Sequence, residues 1–352
     1  MPSYRMSGLT DEQLDELVTL VEDLLEEPWD KSTGRRKCLC LRDALIVACG
    51  YARNNITEEI WAEIFGVDQS SISRYISLLT PLIAKATDDE RPTADEAVEA
   101  AKGAIVLVDG MLWPCWSWSG AKDLWAGKYK TTGHGSLIVT NYDGDVIYVS
   151  DPVTGNRHDM GKLACSESEK ILKAAGGVFG DKGFIGTDYI TTPVRKPKHR
   201  TLYIREQEYN AEVSSHRAPV ERAVAQLKTW RILFTDYRRP LKTFQDSFNA
   251  AIGLYFFKLN FGIILVVAAG PIAVSLRDLD FVARQHRLEF YAEALPCTRR
   301  HDRQEATSYV RDSRCGRVGW FPSGQHGHDA AGDVPGGPWA GGEPLLVGHV
   351  VV

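Results

Sequence analysis

The stretch Ala104-Ile-Val-Leu-Val-Asp109-Gly110 decides the fold class predicted for this chain. Its uninterrupted apolar run is typical of a strand buried on both faces, and the carboxylate of Asp109 comes where that strand is expected to end. A buried strand that places an acid in a cleft needs a cation or metal ion beside it, because burying an unpaired charge is costly. An Asp-Gly turn without any such role is equally compatible with this segment taken alone.

Three more strands are predicted downstream. Residues 136–141 and 145–150 form a pair joined by Tyr142-Asp143-Gly144, a hairpin signal that makes this pair antiparallel. The segment Gly177-Val-Phe-Gly180-Asp181-Lys182-Gly183-Phe184 then predicts a short strand that again ends in an acid. Two strand ends therefore each supply a carboxylate.

A helix is predicted between these strands, from Arg157-His158-Asp159 to about Ala175. Asp159 lies near its start, where capping of free backbone amides is the commoner role for an acid. The alternative is that His158 or Asp159 contributes to a site.

A later helix carries a carboxylate between two cations, in Ser214-Ser-His-Arg217-Ala-Pro-Val-Glu221-Arg-Ala-Val-Ala-Gln-Leu-Lys228. At about 100° per residue, Arg217, Glu221 and Lys228 fall within one arc. Ser215 is the predicted cap and Pro219 suits a first turn, which places Glu221 near the helix start. Taken alone, the pattern is that of a surface helix with an Arg–Glu ion pair.

Asp109, Asp181 and Glu221 together supply hard oxygen ligands, the type that suits Mg²⁺ or Mn²⁺. Two ions held by three carboxylates stabilise the attacking and leaving oxygens of an in-line displacement at phosphorus. Arg217 and Lys228, on the same helix face as Glu221, are suited to contact phosphate. The sequence therefore predicts a two-metal phosphoryl-transfer site.

The N-terminal part of the chain predicts a helical domain over residues 1–87. Residues 9–27 form an amphipathic helix capped by Thr10, and residues 57–78 fit a helix-turn-helix with Gly66 at its turn. The start of the second helix would present five polar residues to DNA: Gln69, Ser70, Ser71, Ser73 and Arg74. A helical hairpin used only for packing is the alternative. The acidic residues 88–103, with Pro92, predict a linker.

Basic residues cluster on both sides of the Glu221 helix, although the net charge of the 352-residue chain is −5. A solvated charge run is the usual explanation, but beside a phosphodiester site DNA contact is favoured. The predicted contacts are Lys196, Lys198, Arg200, Arg231, Arg238 and Arg239.

The composition is that of an ordinary soluble protein, 44% hydrophobic, and its seven scattered cysteines indicate reduced thiols. The most apolar run, Phe256–Gly270, is interrupted by Lys258 and Asn260 and is too short to span a membrane. Residues 266–352 form an atypical tail, of which 297–344 predict little order. A late frameshift and a real accessory tail are both open explanations.

The order of these motifs resembles the IS5-type bacterial DDE transposases, in the branch related to eukaryotic Harbinger elements. The resemblance covers roughly residues 10–262. It implies an α/β protein in which an RNase H-like domain, a mixed sheet flanked by helices over residues 104–265, follows the all-α helix-turn-helix domain. It also implies cleavage and transfer of DNA strands at terminal inverted repeats, with Mg²⁺ or Mn²⁺ in a two-metal site.

The catalytic positions of that family carry over residue by residue. Asp109, Asp181 and Glu221 match the three acids, and Arg217 and Lys228 match the family's Arg-x3-Glu-x6-Lys signature. Members often have Tyr three residues before that Arg, whereas this chain has Ser214, so any role of the Tyr does not transfer. Asp159 is a rival for the second acid, because Arg-His-Asp recurs in similar sequences.

The partners implied are the terminal inverted repeats, target DNA and a second copy of the chain, since two element ends must be paired. The predicted localisation is cytoplasmic, on the nucleoid. Two other functions are compatible with the sequence: a catalytically silent DNA-binding regulator or domesticated transposase, and a metal-dependent nuclease that cuts without rejoining.

Overall fold

The structure is a computed structural model that describes residues 3–30, 36–116 and 120–267, with side chains described as far as Phe261. The predicted tail therefore lies outside the described residues, apart from its first two positions. The described helices are α1 (Ser3–Ser7), α2 (Asp11–Leu24), α3 (Leu41–Asn54), α4 (Glu58–Phe65), α5 (Gln69–Ala86), α6 (Ala94–Ala101), α7 (Asp159–Leu163), α8 (Ser168–Ala174), α9 (Ile204–Leu227), α10 (Arg231–Phe234) and α11 (Phe244–Val267). The strands are β1 (Ile105–Pro114), β2 (Trp125–Ala126), β3 (Thr131–Asn141), β4 (Val146–Val149), β5 (Val153–Thr154) and β6 (Gly177–Gly180).

The N-terminal helices confirm the predicted helix-turn-helix. Thr10 caps α2, with its hydroxyl accepting from the Gln13 amide and its own amide donating to Gln13 Oε1 at 2.9 Å. Gly66 ends α4 with a φ of +65°, a left-handed conformation that glycine adopts without strain. Ile72 and Ile76 of α5 are buried, which fixes the second helix against the first.

The segment predicted as a linker contains a helix instead. Thr93 and Glu96 form a capping box at the start of α6. Ala97 and Ala101, one turn apart, are fully buried in the hydrophobic cluster beneath the sheet. Small apolar residues at this spacing give the acidic helix a narrow face that packs into this cluster. The acidic composition, which had predicted a linker, therefore did not reveal the helix.

The sheet is mixed, as predicted, and β1 and β3 form its centre. These strands are antiparallel over nine residue pairs, and the other edge of β3 pairs in turn with β2, β5 and β4. β6 is parallel to β1, with Val108 opposite Gly180. β1 continues to Pro114, so the prediction that it ends at Asp109 is wrong. Met111 and Trp113 beyond Gly110 are buried, and this packing extends the strand.

The region from Asp159 to Ala174 forms two short helices, α7 and α8, and not the single helix predicted. The residue that precedes α7 is His158, and no side chain caps the helix. Asp159 is buried and its carboxylate bonds to lysine side chains, so the capping role considered for Asp159 is wrong.

α9 is longer than predicted, and it begins at Ile204 and not near Ser215. Glu206 holds its N-terminus by accepting from the Tyr203 amide at 2.8 Å. Pro219 is therefore an interior residue, where it lacks an amide for the helix ladder. It is buried against the β3–β4 turn, and a side chain at Gly144 would come within 2.9 Å of the Pro219 carbonyl oxygen.

α11 closes the core, as predicted. It packs on α5 and α3, so the N-terminal helices share a hydrophobic cluster with this helix and with β1. Trp230, Tyr255 and Phe256 are buried there, which confirms that they are core residues. Among the described helices, none combines the length and hydropathy that crossing a membrane requires.

Candidate active site

Asp109 and Asp181 are brought side by side by the parallel pairing of β1 and β6. Val108 lies opposite Gly180, so the next residue of each segment is an acid: Asp109 within β1, and Asp181 directly after the end of β6. Asp109 Oδ1 accepts from the Gly110 amide at 2.9 Å, and Asp181 Oδ1 accepts from the Gly183 amide at 2.7 Å. These bonds orient the two carboxylates.

Asp159 adds a third carboxylate from the start of α7. Its Oδ1 accepts from Lys162 Nζ at 2.8 Å, and both side chains are almost fully buried, at 6% and 4% exposure. A Cβ at Gly110 or at Gly183 would collide with this carboxylate. Neither glycine has a positive φ, so both positions need glycine for space and not for backbone conformation.

Lys128, in the turn between β2 and β3, joins two of these acids. Its Nζ lies 3.3 Å from Asp159 Oδ2 and 3.3 Å from Asp181 Oδ2. The adjacent Tyr129 donates its hydroxyl to the carbonyl of Gly110 at 3.2 Å, which attaches the same turn to β1. Sequence reasoning missed Lys128, for which no local signal exists. It also missed Lys162, which the Asp-x-x-Lys spacing on a helix would have suggested.

Asp109 and Asp159 differ in how their charge is compensated. Burial raises the pKa of Asp109, and the nearby charge of Asp181 adds to this rise against the opposing attraction of Arg217. For Asp159, burial also disfavours ionisation, but Lys162 and Lys128 outweigh it and the pKa is lowered. Of these two acids, Asp109 is therefore the one whose charge is less well balanced.

Arg217 of α9 reaches the same cluster. Its guanidinium lies 3.6 Å from Asp109 Oδ1, and its Nε is buried without a hydrogen-bond partner among the described residues. The preceding residue, His216, docks α9 on the sheet by stacking on Phe179 and bonding through Nδ1 to the Tyr142 hydroxyl at 2.6 Å. The acid that Arg217 contacts is thus Asp109, where the helix pattern had suggested Glu221.

Glu221 is exposed on α9, one turn beyond Arg217. In the described part of the chain, no three acidic, histidine or cysteine side chains converge closely enough to hold one metal ion. Lys228 follows the last residue of α9, with its Nζ 5.0 Å from the centre of the Phe234 ring. The structure therefore brings together Asp109, Asp181 and Arg217, while the roles of Glu221 and Lys228 stay predictions.

Comparison with known proteins decides the family. Residues 108–255 match the DDE superfamily endonuclease family, and residues 37–88 match the helix-turn-helix of DDE superfamily endonuclease. A putative transposase for insertion sequence element IS112 of Streptomyces albus G is 31% identical over 230 residues, which cover 64% of this chain and 83% of that protein. The chain belongs to the transposases of the DDE endonuclease superfamily.

Two further similarities accompany these matches. A probable transposase for insertion sequence element IS702 of Microchaete diplosiphon is 25% identical over 264 residues, covering 72% of this transposase and 93% of that one. A solved piggyBac transposase synaptic complex with hairpin DNA aligns over 87% of this chain and 86% of its own, at 11% identity and a TM-score of 0.39. The family match over residues 108–255 spans the three predicted catalytic acids and Lys228.

The transposase exposes most of the predicted DNA-facing residues at the start of α5. Gln69, Ser70 and Arg74 are exposed and Ser73 is half-buried. Ser71 is buried, so its prediction as a DNA contact is wrong. It faces the helical core one residue before Ile72, because the two residues share the inward side of the helix start.

Three of the six basic residues predicted to contact DNA are engaged within the transposase. Arg200 makes a two-bond pair with Glu206, at 2.6 and 2.8 Å, and this pair lowers the pKa of Glu206 to about 2. Arg238 donates to the Asn55 carbonyl at 2.6 Å, and Arg239 pairs with Glu58 at 2.9 Å. The contacts of Arg238 and Arg239 correct the prediction, because these donors hold the helix-turn-helix in place, whereas Arg200 remains partly exposed and its contact with DNA stays a prediction. Lys196, Lys198 and Arg231 are exposed.

Proposed function

We propose that this transposase binds the terminal inverted repeats of its insertion sequence and, with a divalent metal ion, cuts and transfers the DNA strands there. Residues 1–87 bind the repeats through the helix-turn-helix, and residues 104–265 carry out the strand chemistry. The single observation that carries the proposal is the adjacent pair of Asp109 on β1 and Asp181 at the end of β6, within the matched endonuclease region.

The chemistry of two neighbouring carboxylates, Asp109 and Asp181, suits a hard divalent cation. Endonucleases of the DDE superfamily use divalent metals. Burial, with the charge of Asp181 beside it, raises the pKa of Asp109, and a bound cation would offset both effects. Asp109, Asp181 and Glu221 would hold Mg²⁺ or Mn²⁺, both of which prefer carboxylate oxygens. When bound, such an ion supplies Lewis-acid stabilisation of the charge that develops on the oxygens at phosphorus.

The other residues orient the site and the DNA. Arg217 pairs with Asp109 from α9 at 3.6 Å and orients that side chain. Lys228, on the face of Glu221, contacts the strand beyond the cut. Lys196, Lys198 and Arg231 add sequence-independent attraction to the DNA backbone, and a second copy of the chain brings the second element end.

The test is incubation of the full chain with a DNA fragment that carries one end of the element, with its inverted repeat, in the presence of Mg²⁺ or Mn²⁺. The proposal expects binding at the repeat, a cut at its border and joining of the freed end to target DNA. Binding without any cut would support a silent regulator, and a cut without joining would support a nuclease. Either result would contradict the proposal.

A further inference from the structure

Among the described cations that pair with Asp109, Asp159 or Asp181, Lys128 has the most exposed side chain. Its side chain is 52% exposed, whereas Arg217 and Lys162 are 16% and 4% exposed. Three acids, Asp109, Asp159 and Asp181, thus face three cations, of which two are fixed in the interior. DNA must reach the acids from the solvent side, where the Lys128 ammonium stands.

We propose that Lys128 is a further catalytic residue of the transposase, whose ammonium leaves Asp181 and binds the phosphate group at which the strand is cut. The inference rests on the proposed function, because it takes Asp181 as a ligand of the divalent ion. A divalent ion and an ammonium compete for the same Asp181 carboxylate oxygens. The arrival of the ion therefore frees Lys128 to donate to the nearest anionic oxygens, which belong to the bound strand.

The turn that carries Lys128 is held so that the ammonium stays near this place. The Tyr129 amide donates to the Ala126 carbonyl at 3.1 Å and closes the turn, and the Tyr129 hydroxyl attaches it to Gly110, next to Asp109. Asp159 is the second anchor. Because Asp159 Oδ1 is bonded to the buried Lys162, its Oδ2 remains to hold Lys128 at 3.3 Å. Asp159 is thus a positioning residue for Lys128.

A lysine ammonium has three N–H donors and no acceptor, so it can turn from one carboxylate to a phosphate oxygen while Asp159 still holds it. The contribution of Lys128 is therefore electrostatic: it stabilises the negative charge that increases on the phosphate oxygens as the strand is exchanged.

The experiment compares wild type with Lys128→Met, Lys128→Arg and a matched control, Lys130→Met, which removes an exposed lysine from the same turn. Three quantities are measured: the single-turnover cleavage rate on end DNA, the Kd for that DNA, and Mn²⁺ binding by electron paramagnetic resonance without DNA. Loss of one charge-stabilising donor costs about 100-fold in rate. We expect that loss for Lys128→Met, partial rescue by Lys128→Arg, and little change for Lys130→Met.

The Mn²⁺ measurement separates this role from a structural one. Lys128→Met should bind Mn²⁺ several-fold more tightly than wild type, because the competing ammonium is gone, while its Kd for DNA stays close to the wild-type value. Cleavage by Lys128→Met within threefold of wild type, or unchanged Mn²⁺ affinity, would overturn the inference and leave the proposed function intact. If wild type itself neither binds Mn²⁺ nor cuts, the proposed function fails and the inference with it.

Discussion

The buried pair of Asp159 and Lys162 gives the sharpest stability prediction. Asp159→Ala leaves the Lys162 ammonium, 4% exposed, with only a long 3.4 Å contact to the Met111 carbonyl among the described residues. Removing one member of a buried ion pair costs about 3–5 kcal/mol, because the other charge stays buried without compensation. The midpoint of thermal unfolding falls by roughly 2–4 °C per kcal/mol in chains of about 150–250 residues and by less in longer ones, so a shift on the order of 5 °C is expected.

The chain supplies a matched control for this substitution. Glu167 and Lys170 have the same spacing and the same 2.8 Å separation as Asp159 and Lys162, but both are exposed. Exposed pairs contribute about 0–1 kcal/mol, so Glu167→Ala should change the unfolding midpoint little. Calorimetry of both variants at pH 7, with a chelator present, makes the comparison. Equal effects of the two substitutions would refute the argument from burial.

The pH dependence of the same pair has a definite sign. The folded-state pKa of Asp159 is lowered. The ion pair therefore stabilises the fold fully above the unfolded-state pKa of about 3.9, and this stabilisation is lost as the pH falls through the lower, folded-state pKa. The stability difference between wild type and Asp159→Ala should therefore be complete at pH 7. It should shrink only in strong acid.

Two further predictions follow from the acids and the glycine between them. Asp109→Asn should raise the midpoint of thermal unfolding at neutral pH in the presence of a chelator. The folded-state pKa of Asp109 is raised, which means that its ionised form destabilises the fold above that pKa. The gain in stability should therefore shrink as the pH falls, and a lower midpoint than wild type at pH 7 would contradict the prediction. Gly110→Ala should lower the free energy of unfolding by about 1–3 kcal/mol and slow strand cleavage, because the added Cβ collides with the Asp159 carboxylate. Chemical denaturation and a cleavage assay measure the two effects, and wild-type values in both would contradict the prediction.

Local sequence patterns correctly predicted the elements that depend mainly on residues close together in the sequence. Gly66 and the apolar positions Ile72 and Ile76 predicted the helix-turn-helix, because a turn and one buried helix face determine it. The two strand acids were found in the same way, as carboxylates that follow apolar runs. Their adjacency comes from the parallel pairing of β1 with β6, which the sequence only suggested.

The predictions that were wrong depend on contacts with residues distant in sequence. Gly110 looked like a turn residue, but it is a strand residue whose missing side chain makes room for Asp159, 49 positions later. Arg239 looked like a DNA contact, but it pairs with Glu58 of the helix-turn-helix. Lys128 gave no signal, because only the folded sheet places its turn beside Asp181.

The central claim is that Asp109, Asp181 and Glu221 act together in cutting DNA, and Glu221 is the residue that tests it most directly. The measurement is single-turnover cleavage of end DNA with Mg²⁺ by wild type, Asp181→Asn, Glu221→Gln and Glu212→Gln, an exposed control on the same helix. We predict a wild-type DNA affinity for all three variants. We also predict wild-type cutting by Glu212→Gln and a loss of cutting by at least about 1,000-fold in the other two variants. Cutting by Glu221→Gln at the wild-type rate would contradict the account.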